Sequence, residues 1–293
     1  MDRTKALGLA LVLTLGLSAC GPKQPKIVVG SKNFTEQVVL GEIIAQHLEH
    51  RLGHPIERRL NLGGTLLTYQ ALLNGEISLY PEYTGTIEAE ILKEPAAADP
   101  TQVYERSRLE MARRSQVELL PSLGVDNYFV MVVRDEDGKK KNITTLSQAA
   151  QAKPVWKLGV GYEFEQRIDG MPALNAYHLP FSAAPRSMDL GLLYKALDEG
   201  QVTMIAANAT DGPLAAHDWT ILQDDKKAFG TYQACIMARQ DMLTAEPRLR
   251  PALLELNGKL NNEKMRKLDA AVDVDHRQPA QVAAEFLSQA GLK

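Results

Sequence analysis

Residues 69–78 read YQALLNGEIS, and residues 194–203 read YKALDEGQVT. Each is the end of an apolar helix, a glycine placed to cap it, and the first residues of a strand. A second pair repeats in the same order. Lys26-Ile27-Val28-Val29-Gly30, followed by Phe34 and Glu36-Gln37, matches Lys157-Leu158-Gly159-Val160-Gly161, followed by Phe164 and Glu165-Gln166. Here a strand turns at glycine into a helix. The pairs lie 125 and 131 residues apart, so the chain reads as two similar α/β halves.

The first half can be followed further. Asn33 and Glu36 have capping-box spacing, and Leu40, Ile43, Ile44, His47 and Leu48 then fall on one helical face, with His47 read as a core histidine. Residues 56–60 form a second strand, and Asn61-Leu62-Gly63-Gly64-Thr65 turns into the next helix with Thr65 as its N-cap. That turn lacks the spacing of a phosphate loop or a dinucleotide fingerprint. It is expected to line a crevice. In open parallel sheets ligands gather outside the carboxyl ends of strands, and three segments sit there: Gly30-Ser31-Lys32, Tyr80 to Thr86, and Gly161 to Arg167.

The termini and composition narrow the class. Arg3 and Lys5 precede an uncharged run from Ala6 to Leu17, and small residues lead to Cys20, which is the pattern of an export signal. Leu17-Ser18-Ala19-Cys20 resembles a lipobox, with residues 1–19 a lipoprotein signal peptide, Cys20 lipidated and residues 20–25 (CGPKQP) a tether; an ordinary signal peptide cut nearby is the other reading. The formal net charge is −3, with no basic stripe to follow a nucleic acid, and Cys235 is left without a disulfide partner. No metal-spaced histidine cluster or nucleophile motif occurs. Glu82 and Asp211 could form a carboxylate pair for acid–base work only with a third partner, which the sequence does not suggest. The expectation is an exported binding protein: not an enzyme, without cofactor or metal, without nucleic acid, and monomeric.

Four motifs carry a resemblance. Gly30-Ser31-Lys32-Asn33-Phe34-Thr35-Glu36-Gln37, Asn61-Leu62-Gly63-Gly64-Thr65, Tyr80-Pro81-Glu82-Tyr83-Thr84-Gly85-Thr86 and Thr210-Asp211-Gly212 resemble the substrate-binding proteins of osmoprotectant ABC transporters, which take glycine betaine, choline, carnitine and related quaternary amines. The resemblance implies a two-lobed type II periplasmic-binding-protein fold with the ligand cleft between the lobes. It implies one lobe from residues 26–125 and 235–293, the other from 126–234, and a permease and ATPase as partners. By similarity Tyr83, Tyr128 and Tyr232 form a cage, since a quaternary ammonium donates no hydrogen bond and is held by aromatic faces. Lys32, Thr86 and Arg167 are implied for a ligand carboxylate. Asp126 either complements the cation, orients Tyr128, or caps a loop. One position departs from the pattern: Asn208 stands where an aromatic residue is usual, and the internal repeat sets it opposite Tyr83. That predicts a ligand larger and more polar than glycine betaine.

Overall fold

The computed structural model describes residues 25–94, 99–152, 155–215 and 218–293. The signal peptide and Cys20 lie outside the described residues, as does all of the tether except Pro25. The strands are β1 (Val28–Gly30), β2 (Glu57–Arg59), β3 (Leu79–Tyr83), β4 (Val117–Leu119), β5 (Phe129–Arg134), β6 (Leu158–Gly161), β7 (Arg186–Met188), β8 (Met204–Asn208), β9 (Trp219–Leu222) and β10 (Ala234–Arg239).

They form two sheets, ordered β2-β1-β3-β10-β4 and β7-β6-β8-β5-β9. In the first, β1 runs parallel to β2 and β3, while β10 is antiparallel to β3 and β4. In the second, β6 is parallel to β7 and β8, while β5 is antiparallel to β8 and β9. The two orders are the same pattern. The repeated segments occupy equivalent places in it, with β1 matching β6 and β3 matching β8. Gly75 (φ 74°) and Gly200 (φ 69°) both take the left-handed conformation that ends the helix before the central strand, where a side chain would be strained.

Each sheet is covered on both faces, so its strands are apolar on alternate residues in both directions. In β5, Met131 and Val133 enter one core, Val130 and Val132 the other. In β3, Leu79 and Tyr83 pack with the long helix Thr35–Leu52, and Tyr80 faces the opposite core. His47 is fully buried in that helix, its Nδ1 3.1 Å from Leu292 O and its Nε2 2.9 Å from Ala252 O. Cys235 is free and buried, and burial pushes its thiol pKa up.

The chain leaves the first sheet after β4 and returns at β10, and the two crossings run side by side. Asp126 and Gln233 form an antiparallel bridge, and Asn127 N–H donates to Tyr232 O at 3.0 Å. The side chain of Asp126 is spent on this junction. Its Oδ1 accepts from Tyr232 N–H at 2.6 Å and its Oδ2 from the Thr231 hydroxyl at 3.1 Å.

Candidate ligand-binding cleft

A cleft of about 660 Å³ lies between the sheets, at the carboxyl ends of β1, β3, β6 and β8. Lys32, Tyr83, Thr86, Arg167, Asn208 and Tyr232 all line it. Tyr83 and Asn208 are the last residues of the equivalent strands β3 and β8.

Two residues expected in the cleft are elsewhere. Asp126 is held in the crossing described above. Tyr128 is 39% exposed and does not line the cleft. The reason is strand parity: side chains alternate, and 128 shares a face with Val130 and Val132, whereas Phe129 shares one with Met131 and Val133 and reaches the cleft. The aromatic residue contributed by this segment is therefore Phe129, paired in register with Asn208.

Both basic residues are buried and neutralised from behind. Lys32 Nζ lies 2.6 Å from Glu82 Oε1 and 3.5 Å from Thr65 Oγ1. It also stands 4.9 Å from the ring centre of Tyr83 and 5.7 Å from that of Phe34. Glu82 accepts in addition from Tyr83 N–H at 2.8 Å and from the Tyr80 hydroxyl at 3.2 Å. The Tyr-Pro-Glu-Tyr segment is therefore not a turn but the end of β3, where it seats a buried ion pair beside a ring. Arg167 repeats the device. Its Nε and Nη2 bind Asp169 at 2.8 and 2.5 Å, Nη2 reaches Thr86 Oγ1 at 3.3 Å, and the guanidinium lies 5.2 Å from Phe129 and 5.9 Å from Tyr232. Burial works to lower the Arg167 pKa, but Asp169 outweighs it and the net movement is upward. The Tyr232 hydroxyl donates to the same Asp169. Glu82 and Asp211 do not pair: each is bound to its own neighbours.

Glu36 is not a helix cap. The residue preceding the helix is Phe34, and no side chain caps it. The Glu36 carboxylate, 3% exposed, accepts from the Tyr83 hydroxyl at 2.6 Å, from Asn127 Nδ2 at 3.0 Å and from the Thr210 hydroxyl. It ties the first sheet to both the crossing and the turn after β8. Burial raises its pKa against the pull of these three donors. Thr65 is likewise one residue inside its helix, with Gly64 at the cap position; its N–H donates at 2.9 Å to Glu163 Oε1, from the helix after β6. Asn208 spends its amide on Asp211, through N–H at 3.0 Å and Nδ2 at 3.2 Å, and the Tyr194 hydroxyl donates to Asp211 at 2.9 Å. Burial lifts the Asp211 pKa to about 6.

Residues 25–289 match the OpuAC family, the substrate-binding domain of ABC-type glycine betaine transport systems. The chain belongs to this family. It is 31% identical over 290 residues to the carnitine transport binding protein OpuCC of Listeria monocytogenes, covering 96% of this chain and 94% of that one. It is 32% identical over 275 residues to the ergothioneine transport permease/ergothioneine binding protein EgtU of Helicobacter pylori, covering 92% of this chain and 48% of that one. A crystal structure of a glycine betaine/carnitine/choline ABC transporter protein superposes with a TM-score of 0.77 at 27% identity, over 91% of this chain and 99% of that one. The chain is thus an ABC-importer substrate-binding protein with the two-lobed α/β fold of its relatives. Substrate-binding proteins of such importers work outside the cytoplasm, and no helix among the described residues is long and apolar enough to cross a membrane.

Proposed function

We propose that the cleft captures a quaternary-amine or betaine-type solute and hands it unchanged to an ABC permease driven by its ATPase. The observation that carries this reading is the mixed lining of the cleft: the cations Lys32 and Arg167, the carboxyl groups of Glu36 and Asp211, and the rings of Tyr83 and Tyr232. Such a lining complements both charges of a zwitterion, its carboxylate through Lys32, Arg167 and Thr86 and its quaternary ammonium through Glu36, Asp211 and the rings of Tyr83 and Tyr232. Asn208, whose position offers no ring and whose amide is bound to Asp211, favours a larger betaine such as carnitine or a histidine-derived betaine. Residues 26–125 with 235–293 act as one lobe and 126–234 as the other, with Asp126 at the junction rather than at the ligand. Calorimetric titration with glycine betaine, carnitine and choline should give saturable binding of at least one, with the compound recovered unaltered. Binding of none would sink the ligand class. Cys20 is the proposed lipid anchor holding a monomer to the extracytoplasmic face of a membrane, and Cys20→Ser should release the protein from washed membranes.

A further inference from the structure

The helix Asn262–Asp273 ends on two carboxylates, Asp269 and Asp273, four residues apart on one face, and it has no basic residue in its last turn. Like charges at that spacing repel, and a helix carboxyl end is the unfavourable end of the backbone dipole for an anion. The sequence nonetheless sets both there. The helix packs on the turn after β8 so closely that a Cβ at Gly212 would stand 2.6 Å from the Asp269 carbonyl carbon, which brings Asp211 alongside. Glu36 approaches from the first helix. All four carboxyl groups line the cleft.

Three of them have hydrogen-bond donors. Glu36 and Asp211 are satisfied as described, and Asp273 accepts from the Thr35 hydroxyl at 2.5 Å. Asp269 differs. It is 2% exposed, and its Oδ1 meets no hydrogen-bond partner among the described residues. The two cations of the cleft belong to Glu82 and Asp169, and Arg266, from the same helix, donates through Nη2 to Ala209 O at 2.5 Å. Burial, then the charges of Glu36, Asp273 and Asp211, push the Asp269 carboxyl well above the usual carboxylate range. Asp269 lines the cleft, and a desolvated acceptor there is costly until a donor arrives.

We propose that Glu36, Asp211, Asp269 and Asp273 form a subsite for a hydrogen-bond-donating cationic group of the ligand, a protonated amine or protonated ring nitrogen, with Asp269 Oδ1 as its acceptor. This rests on the quaternary-amine reading of the cleft. A trimethylammonium group has no N–H and leaves Oδ1 unpaired, so the donor is a second group, carried at the other end of a short spacer. Four converging carboxyls supply acceptors, and negative charge as a cation draws their protons off, and the unpartnered Asp269 Oδ1 supplies direction.

The test compares (3-aminopropyl)trimethylammonium with butyltrimethylammonium, which replaces the ammonium by a methyl group, and uses glycine betaine as reference. By calorimetry at neutral pH the amine should bind the full-length protein at least ~10-fold more tightly than the butyl compound, as a charge-assisted hydrogen bond requires. Asp269→Asn should collapse that ratio to about 3 or less, and Asp273→Asn, at the exposed rim, should reduce it by less. Asp269→Asn keeps the shape and removes a group whose ionisation burial and three neighbouring carboxyls oppose, so it should melt no lower than the unaltered protein and a lost ratio is not lost folding. Equal affinity for the two compounds, or a ratio unchanged by Asp269→Asn, overturns the subsite. If glycine betaine binds and the amine gains nothing, the subsite fails while the betaine reading stands. If the amine binds through Asp269 and glycine betaine does not bind, the subsite stands and the betaine reading falls. If no compound binds, both are wrong.

Discussion

Glu163 reaches from the second sheet to the first and caps a helix that has no cap of its own. Its Oε1 accepts from Thr65 N–H at 2.9 Å and its Oε2 from the Thr65 hydroxyl at 3.4 Å. The fit is tight: a Cβ at Gly64 would fall 2.1 Å from Glu163 Oε1. Glu163→Ala therefore removes a cap and an inter-lobe contact in one step. Losing a helix cap costs about 1 kcal/mol, with a range of about 0.5–2. The nearby Arg167 Nη1, 3.8 Å from Oε2, adds little, because the Glu163 side chain is 49% exposed and its charge is screened. About 1 kcal/mol is roughly a fivefold shift in an equilibrium. The free protein should become more open, and ligand affinity should weaken by up to about fivefold, because part of the binding energy then goes to closing the lobes. Small-angle scattering of the ligand-free protein should give a larger radius of gyration, and calorimetry the weaker affinity. Glu163→Gln retains an acceptor and should weaken binding less than Glu163→Ala. Gly64→Ala displaces the same carboxylate, so the double variant should be little worse than either single one. An unchanged radius together with an unchanged affinity in Glu163→Ala would refute the reasoning.

Tyr83→Phe keeps the ring but withdraws the 2.6 Å donor from Glu36, and should lower unfolding stability by about 1–3 kcal/mol in urea titration; an unshifted midpoint would mean that Asn127 and Thr210 alone satisfy the carboxylate. Affinity for a trimethylammonium compound should rise as pH increases through about 6, because Asp211 gains its charge there beside Tyr194 and Asn208, with Glu36, Asp269 and Asp273 as its acidic neighbours and Arg266 bound nearby to Ala209 O. Stability runs the other way. The folded state holds the Asp211 proton more tightly than the unfolded chain, so this residue's contribution falls as pH climbs from about 3.8 to about 6, and Asp211→Asn should flatten both profiles.

The repeated YQALLNGEIS and YKALDEGQVT segments placed two equivalent helix-to-strand turns, and the sheets carry them at β3 and β8, because helix periodicity, a left-handed glycine and a short apolar strand are local properties of a chain. Most of the cleft was legible for the same reason: strand ends can be recognised, and strand ends meet ligands. The choice between Tyr128 and Phe129 was not, since one residue of register reverses which side chain faces inward and only the pairing of β5 with β8 sets it. Glu36 has the spacing of a cap and becomes a tie between sheets because Tyr83, Asn127 and Thr210 are brought to it from 47, 91 and 174 residues away. Asp269 and Asp273 were not legible as site residues: a like-charged pair four residues apart near a helix end is the one local clue, and the cleft they border is assembled only in three dimensions. Local order follows from local sequence; the carboxylate that neutralises Lys32, 50 residues away, and the oxygen of Asp269 that no described residue hydrogen-bonds depend on which distant segments the packed core brings together.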